Sequence, residues 1–507
     1  MNKKIYTNSN IKKILQIKKR KGLKISMCHG CFDLLHLGHI DHLIECKNLS
    51  DILVVSVTSD KYVNKGLNRP FFKLAERMES LAALSCVDYI IPSNSESAIE
   101  SLKTIKPNFY CKGPDYKLIK NDTTKKIKKE ISELKKFKGK FYITKSKQFS
   151  SSKLVNNSYL YNSEQLNFLK KIKKKKSFAE ISKIVHQFKK IDITIVGESI
   201  IDVYQKCNPV GKSGKEPTLI FSNEKNFTFL GGALAISKNI SEFVNKVNLI
   251  SYLGSTKKYL KFIKKKLNSN INYKYILKKK SPTIEKKRLI ETYSNKKIIG
   301  IYDFNDTYLD KSAEKKIIDL IDKSLKKNTI LLIADYGHGL ITKNIIKKIN
   351  TLKNFKLLNC QLNASNTGLN LINNYNKPDI LIMNEAEIRY EMRDRQNSLE
   401  ILMKKIVQKI KTNYVFVTRG AKGSICYNKI KNKFYYCPGF ANNVVDKVGA
   451  GDSMLSIIAL TLFLTKDEEL ALFLSSIAAS EIVAFLGNEK NIKRLNYLRN
   501  LEILLKV

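Results

Sequence analysis

Short apolar runs alternate with longer amphipathic stretches along most of the chain. In its first third, Ile52–Val57, Tyr89–Ile91 and Phe109–Cys111 are runs of strand length, and Leu74–Leu84 carries apolar residues at helical spacing. Apolar runs bounded by polar turns predict strands buried on both faces, with the helical stretches between them as crossovers. Residues 25–150 therefore read as the βαβ rhythm of a parallel sheet. From Lys153 to Lys190 the chain turns polar and Lys-rich, with Lys170–Lys176 almost wholly basic. No strand pattern appears there, which predicts a helical linker whose lysines form a solvated face. A second series then begins at Ile193–Val196 and continues through Ile330–Ala334, Ile380–Met383 and Tyr414–Thr418. The most apolar stretch, Leu470–Leu486, is interrupted by Ser475, Ser476, Ser480 and Glu481, so it reads as a buried helix and not as a membrane span.

Length supports the same division, because 507 residues exceed what one hydrophobic core usually holds. The expected domains are 1–155, a helical basic linker at 156–190, and 191–507. A formal charge of +47 invites a nucleic-acid reading, but the lysines are scattered through every segment, so no specific nucleic-acid partner is expected. Nine irregularly spaced cysteines are not the framework of a small secreted domain, and Met1–Ser9 has no apolar core of signal length. The expected compartment is the cytoplasm.

The segment from Met27 to His39, with Gly30, His36, Gly38 and His39, follows a strand-like run and opens a helix. Glycines let backbone approach a ligand, a helix start offers unpaired amides to anions, and the imidazoles of His-x-Gly-His can meet phosphates together. Such a cradle stabilises charge during attack at the α-phosphate of a nucleoside triphosphate. Cys28 and Cys31 form Cys-x-x-Cys, but no second pair nearby in the sequence completes four ligands, so zinc is not expected.

Gly-Cys-Phe-Asp-Leu-Leu-His-x-Gly-His resembles the signature of the cytidylyltransferase-like nucleotidyltransferases. Downstream, Lys65-Gly66, Asn68-Arg69-Pro70, Glu76-Arg77-Met78, Lys112-Gly113-Pro114 and Ser150-Ser151-Ser152 resemble the adenylyltransferase half of the bifunctional enzymes that make ADP-heptose. The resemblance implies that His36 and His39 hold the triphosphate as the catalytic pair and that Gly30, Cys31, Phe32 and Asp33 lie along the nucleotide. It implies phosphate contacts for Lys65, with ligand contact for Arg69, Arg77 and Lys112, and a nucleotide site closed by Ser150, Ser151 and Ser152. The plainer alternative for the two arginines and Lys112 is ion pairing.

Near the other end, Asp446-Lys447-Val448-Gly449-Ala450-Gly451-Asp452 puts small residues at a helix start beside a carboxylate. Free amides there can bind a migrating phosphoryl group while Asp452 takes a hydroxyl proton. This segment resembles the second signature of the ribokinase-like, or PfkB, carbohydrate kinases. Gly197-Glu198, Asp202, Gly231-Gly232, Asn384-Glu385-Ala386-Glu387 and Thr418–Gly423 follow in the same order. The resemblance implies Asp452 as catalytic base and Gly449, Ala450 and Gly451 as anion hole. Thr418, Gly420 and Gly423 would lie along ATP, and Asn384 and Glu387 would organise magnesium indirectly. Glu198, Asp202, Gly231 and Gly232 would face sugar, and Lys286 and Arg288 would grip a phosphate that the sugar already carries. Two departures bear on the sugar: Glu198 stands where the family commonly has Asp, and Ala235 where it commonly has Asn.

The expected fold is α/β throughout, a Rossmann-like nucleotidyltransferase domain followed by a ribokinase-like domain with a small β lid. The expected function is phosphorylation of a heptose 7-phosphate and adenylyl transfer to a heptose 1-phosphate, making ADP-heptose for surface glycan. ATP and Mg²⁺ serve both steps, CTP is the alternative nucleotide for the first domain, and the resemblance implies a homodimer. Other readings are a cytidylyltransferase fused to a kinase for another sugar or polyol, and a non-catalytic nucleotide-binding module.

Overall fold

Strands β1 (Ile25–Gly30), β2 (Ile52–Thr58), β3 (Tyr89–Ser93), β4 (Phe109–Lys112) and β5 (Lys140–Ile143) pair in the order β3-β2-β1-β4-β5. Every pair is parallel. The computed structural model describes residues 4–67, 69–114, 126–145, 161–362 and 372–506. It divides into two units, Met1–Asn162 and Ser163–Lys506. In the first, helices α1 (Asn8–Arg20), α2 (Leu37–Lys47), α3 (Leu74–Ala82), α4 (Ile99–Ile105) and α5 (Lys126–Lys135) alternate with the strands. All seven residues of β2 are buried, as a strand covered on both faces requires. Two apolar clusters occupy the two faces, one of them including Leu43 and Cys46 of α2 against Cys28 and Val55, the other Ile11 and Leu15 of α1 against Met27 and Tyr110.

The second unit is built on nine strands: β6 (Asp192–Gly197), β9 (Lys246–Gly254), β10 (Ile271–Lys278), β13 (Thr329–Asp335), β14 (Lys356–Cys360), β15 (Ile380–Asn384), β16 (Tyr414–Thr418), β17 (Ser424–Asn428) and β18 (Lys433–Cys437). Their order is β10-β9-β6-β13-β14-β15-β16-β17-β18, parallel except for the last two strands. A separate four-stranded sheet, β12 (Lys297–Asp303), β11 (Ile284–Glu291), β7 (Ser199–Lys212) and β8 (Leu219–Gly232), forms the small lid. The Leu470–Leu486 stretch supplies a buried helix, Glu468–Ile482. Among the described residues no helix is long and apolar enough to cross a membrane.

The basic stretch departs from the solvated linker expected at 156–190. Helices Ser163–Lys175 and Phe178–Gln187 bury Phe168, Leu169, Ile172, Ile181 and Val185 within the second unit. The Phe168 ring packs 6.3 Å from that of Phe440 and 6.0 Å from that of Phe473. Lys171 and Lys175 stay half-exposed, and both bridge to the buried Glu469. The lysines and the apolar residues occupy opposite faces, so a run of charge conceals an amphipathic helix. Phe168→Ala is therefore expected to cost the second unit about 3 kcal/mol, read as a lower midpoint for that unit in calorimetry of the full chain.

Candidate active sites

At the end of β1 the chain turns through Cys31–Leu35 into α2, whose N-cap is His36. The His36 Nδ1 accepts from the His39 amide at 3.3 Å, and the two rings stack with centroids 3.9 Å apart. Phe32, at φ 50°, lays its ring edge-on to His39 at 5.6 Å. Burial lowers the pKa of His36; burial, then His36 and His42, push that of His39 down to about 4. Near neutral pH both rings are uncharged hydrogen-bonding groups. His39 Nδ1 is buried without a partner among the described residues. Lys65 is exposed, with its charge acting on both His39 and Cys31. Lys112 Nζ donates to the His29 carbonyl at 3.2 Å, at the carboxyl end of the sheet.

Three residues expected at the nucleotide make internal contacts, and Arg69 Nη1 is buried without a partner among the described residues. The buried Asp33 carboxylate pairs with Arg69 Nε and accepts from the amides of Phe71 and Phe72 at 2.7 and 2.9 Å. Arg77 is only 1% exposed. Its guanidinium donates to the carbonyls of Phe72, Cys31 and Thr58 and to Asp60, at 3.0, 2.5, 2.8 and 2.6 Å. With those donors engaged, Arg77 is an internal clamp between two loops, because a buried guanidinium must satisfy its N–H groups locally. Asn68, Ser150, Ser151 and Ser152 lie outside the described residues.

In the second unit a cavity of about 630 Å³ opens at the carboxyl ends of the parallel strands. Its floor is the start of the helix Ala450–Thr465, capped by Gly449 at φ 85°. A Cβ on Gly449 would stand 2.3 Å from Asn488 Oδ1, so only glycine makes this turn. A Cβ on Gly451 would meet open space, so the turn leaves room for a ligand against the first-turn amides. Asp452 sits beside them, its Oδ1 accepting from the Tyr336 hydroxyl at 3.1 Å, with Gln361 Nε2 at 3.5 Å. Burial pushes the Asp452 carboxyl up to about 6. Ala450, Thr418, Gly420 and Gly423 line the same cavity, as do Asn384 and Glu387. Asn384 caps the helix Glu385–Met392 by accepting from the Glu387 amide at 2.8 Å, while Glu387 accepts from the amides of Asn384 and Leu362 at 2.7 and 3.4 Å. Burial raises Glu387 to about 7.

The lid supplies the opposite wall. Lys286 pairs in register with Asp202 across β11 and β7, and alternation along β11 turns Lys286 and Arg288 toward the cavity. Arg288 Nη1 donates to Asp202 Oδ1 at 2.5 Å, and its guanidinium lies over the Tyr204 and Tyr302 rings. Gly231 belongs to this wall through its missing side chain, since a Cβ there would lie 2.2 Å from Asp202 Oδ2. Gly232 lines the cavity directly.

Residues 190–490 match the family model described as pfkB family carbohydrate kinase. The chain belongs to this family. It is accordingly a transferase, and residues 27–157 match a second model, cytidylyltransferase-like. Curated relatives of the N-terminal region include two proteins named bifunctional protein HldE. That of Syntrophotalea carbinolica is 36% identical over 115 residues, and that of Hydrogenovibrio crunogenus 43% over 113; each match covers 22% of this chain and 24% of the relative. The chain thus spans about a quarter of the length of these relatives. Among solved structures, phosphofructokinase-2 from Escherichia coli in complex with substrates and products aligns with TM-score 0.52 at 13% identity. That alignment covers 62% of this chain and 100% of the neighbour, and it shows the shared fold.

Two positions of the pfkB unit differ from what was expected of them. Glu198 does not line the cavity: it is fully buried, and its carboxylate accepts from the amides of Tyr336, His338 and Leu340 at 3.0, 3.2 and 3.4 Å. Burial, then Asp335, raise its pKa to about 7. It staples the loop after β13 and thereby places Tyr336 against Asp452. Ala235 lines a smaller neighbouring cavity of about 180 Å³, with Asn488 on the wall shared by both. Sequence reasoning missed Tyr336, Gln361 and Asn488. Tyr336 directly follows β13, whereas Gln361 and Asn488 follow a strand and a helix with no motif around them.

Proposed function

We propose that the chain is a bifunctional enzyme of sugar activation. Its pfkB unit moves the γ-phosphoryl group of ATP to the anomeric hydroxyl of a heptose 7-phosphate. After a separate phosphatase removes the older phosphate, its first unit transfers AMP from ATP to the heptose 1-phosphate. The observation that carries the kinase half is Asp452 beside an open helix start, facing two cations across one cavity. Asp452 accepts the hydroxyl proton as the oxygen attacks, the first-turn amides of Ala450–Thr465 hold the migrating phosphoryl, and the lid cations balance charge on the sugar phosphate.

Magnesium fits here through water. Glu387 and Asn384 line the cavity, but their oxygens already accept backbone amides and supply a single carboxylate, too few for direct coordination. They would hold a hydrated ion, which when bound with ATP neutralises phosphate charge. In the first unit, the stacked His36 and His39 with Lys65 and the α2 start support triphosphate binding and attack at the α-phosphate. All nine cysteines are unpaired, which accords with a reducing cytoplasm.

Purified protein assayed with ATP or CTP against a panel of sugar phosphates tests the reading. ADP release dependent on a 7-phosphorylated heptose, and pyrophosphate release from ATP with a heptose 1-phosphate, are expected. Pyrophosphate release from CTP alone would replace the adenylyl half by a cytidylyltransferase, and nucleotide binding with no turnover would make the chain a binding module. Lys286→Met separates the substrate's phosphate from its hydroxyls. Losing one charge-assisted contact is expected to raise KM for the sugar phosphate about 10–100-fold. KM for the unphosphorylated sugar should stay near the wild-type value.

A further inference from the structure

Beneath the loop that carries His36 and His39, four potential metal ligands converge from three elements. Cys28 on β1 and Cys111 on β4 are direct partners across a parallel strand pair, so both side chains leave the same face of the sheet. That face is covered by α2, on which His42 and Cys46 stand one turn apart. One donor atom each of Cys28, His42 and Cys46 lies within 4.8 Å of the other two. The Cys46 sulfur is 3.8 Å from His42 Nδ1 and 3.9 Å from Nε2. Cys111, opposite Cys28, belongs to the same buried cluster as Cys28 and Cys46. All three thiols are fully buried, and His42 is 9% exposed.

We propose that Cys28, His42, Cys46 and Cys111 form a four-coordinate Cys₃His zinc site that ties α2 to the sheet. Buried cysteines alone pack as small hydrophobic residues, but three of them around a buried imidazole make the thiolate and nitrogen donor set that zinc takes in closed structural sites. Zinc–sulfur bonds of about 2.3 Å and zinc–nitrogen bonds of about 2.0 Å place tetrahedral ligands roughly 3.5–3.8 Å apart. The separations among Cys28, His42 and Cys46 need to close by about an ångström, with Cys111 turning in from its place opposite Cys28. His42 is also oriented from behind, its Nδ1 lying 2.8 Å from the hydroxyl of the buried Thr144. A proton donated along that bond leaves the Nε2 lone pair for a metal. The Cys-x-x-Cys pair is not the site: Cys31 Sγ lies 3.8 Å from Arg77 Nη1, in a different group of contacts. By fixing α2, the metal would fix the N-cap that presents His36 and His39.

The test uses the full chain, reduced, loaded with zinc, dialysed against a weak chelator and analysed for metal. About one zinc per chain is expected, falling at least tenfold in Cys46→Ser and Cys111→Ser and unchanged in Cys31→Ser. Should those serine variants fail to fold, cobalt(II) titration of the wild-type chain decides, because thiolate coordination gives an intense sulfur-to-cobalt charge-transfer band. Zinc retained at wild-type level in both variants, a chain that binds neither metal, or a disulfide among the three cysteines found by mass spectrometry would each overturn the proposal. The readout is metal content, so it stands apart from whether either transferase half turns over.

Discussion

Asp452→Asn is expected to lower phosphoryl transfer by roughly 10²–10⁴-fold, the usual worth of a positioned base, while pyrophosphate release by the first unit stays at the wild-type rate. The substitution is nearly isosteric, and the amide oxygen can still accept from the Tyr336 hydroxyl that lies 3.1 Å from Asp452. What it removes is the ability to take a proton. Because burial raises the Asp452 carboxyl to about 6, the wild-type kinase rate should climb with pH through that value and level off above it. The variant should lack that limb.

Stability moves the other way. A carboxyl whose pKa is higher in the fold than in the unfolded chain stabilises the fold only while protonated, and that contribution is lost as pH rises toward 6. Asp452→Asn should therefore melt at or above the wild-type temperature at pH 8, where the wild type holds a buried charge. A variant that lost activity together with stability at pH 8 would instead mark Asp452 as a packing residue.

The sequence made the sheets and the two helix-start cradles legible because both depend on local pattern. Strands such as β2 and β13, buried along all seven residues, are apolar but for Ser56, Thr58, Thr329 and Asp335, and a turn at φ 85° before Ala450 demands glycine. What stayed hidden depends on reach across space. Glu198 reads as a sugar-facing acid displaced from Asp, yet it grips three amides of a loop some 140 positions away. Arg77 reads as a ligand contact or a member of an ion pair, and its guanidinium bonds three backbone carbonyls besides Asp60. Cys46 and Cys111 have no motif around them, since their nearness to Cys28 is created by strand register and one helix face. The buried face of the helix Ser163–Lys175 is obscured for a different reason: its charge outweighs a stripe at 168, 169 and 172 that periodicity alone can find.

His39→Ala is expected to lower nucleotidyl transfer by about 10²–10³-fold, comparable with loss of one preorganised donor to a developing charge, and to leave the kinase rate unchanged. The imidazole is stacked on His36, and its buried Nδ1 has no partner among the described residues. A buried polar atom without a partner costs free energy in the unliganded protein, and a bound triphosphate near His39 can recover that cost. The ring is held near a pKa of 4, so it works as a neutral donor, and the wild-type nucleotidyl rate should be flat from pH 6 to 8. A rate that rose steeply as pH fell through 6 would mean that an imidazolium is required. His39→Asn keeps a donor in a similar volume and should recover part of the lost kcat, whereas a ring that only fills space against Phe32 would be better replaced by Leu. Rescue by Leu and not by Asn would take His39 out of the chemistry, and with it the argument that this helix start holds phosphate.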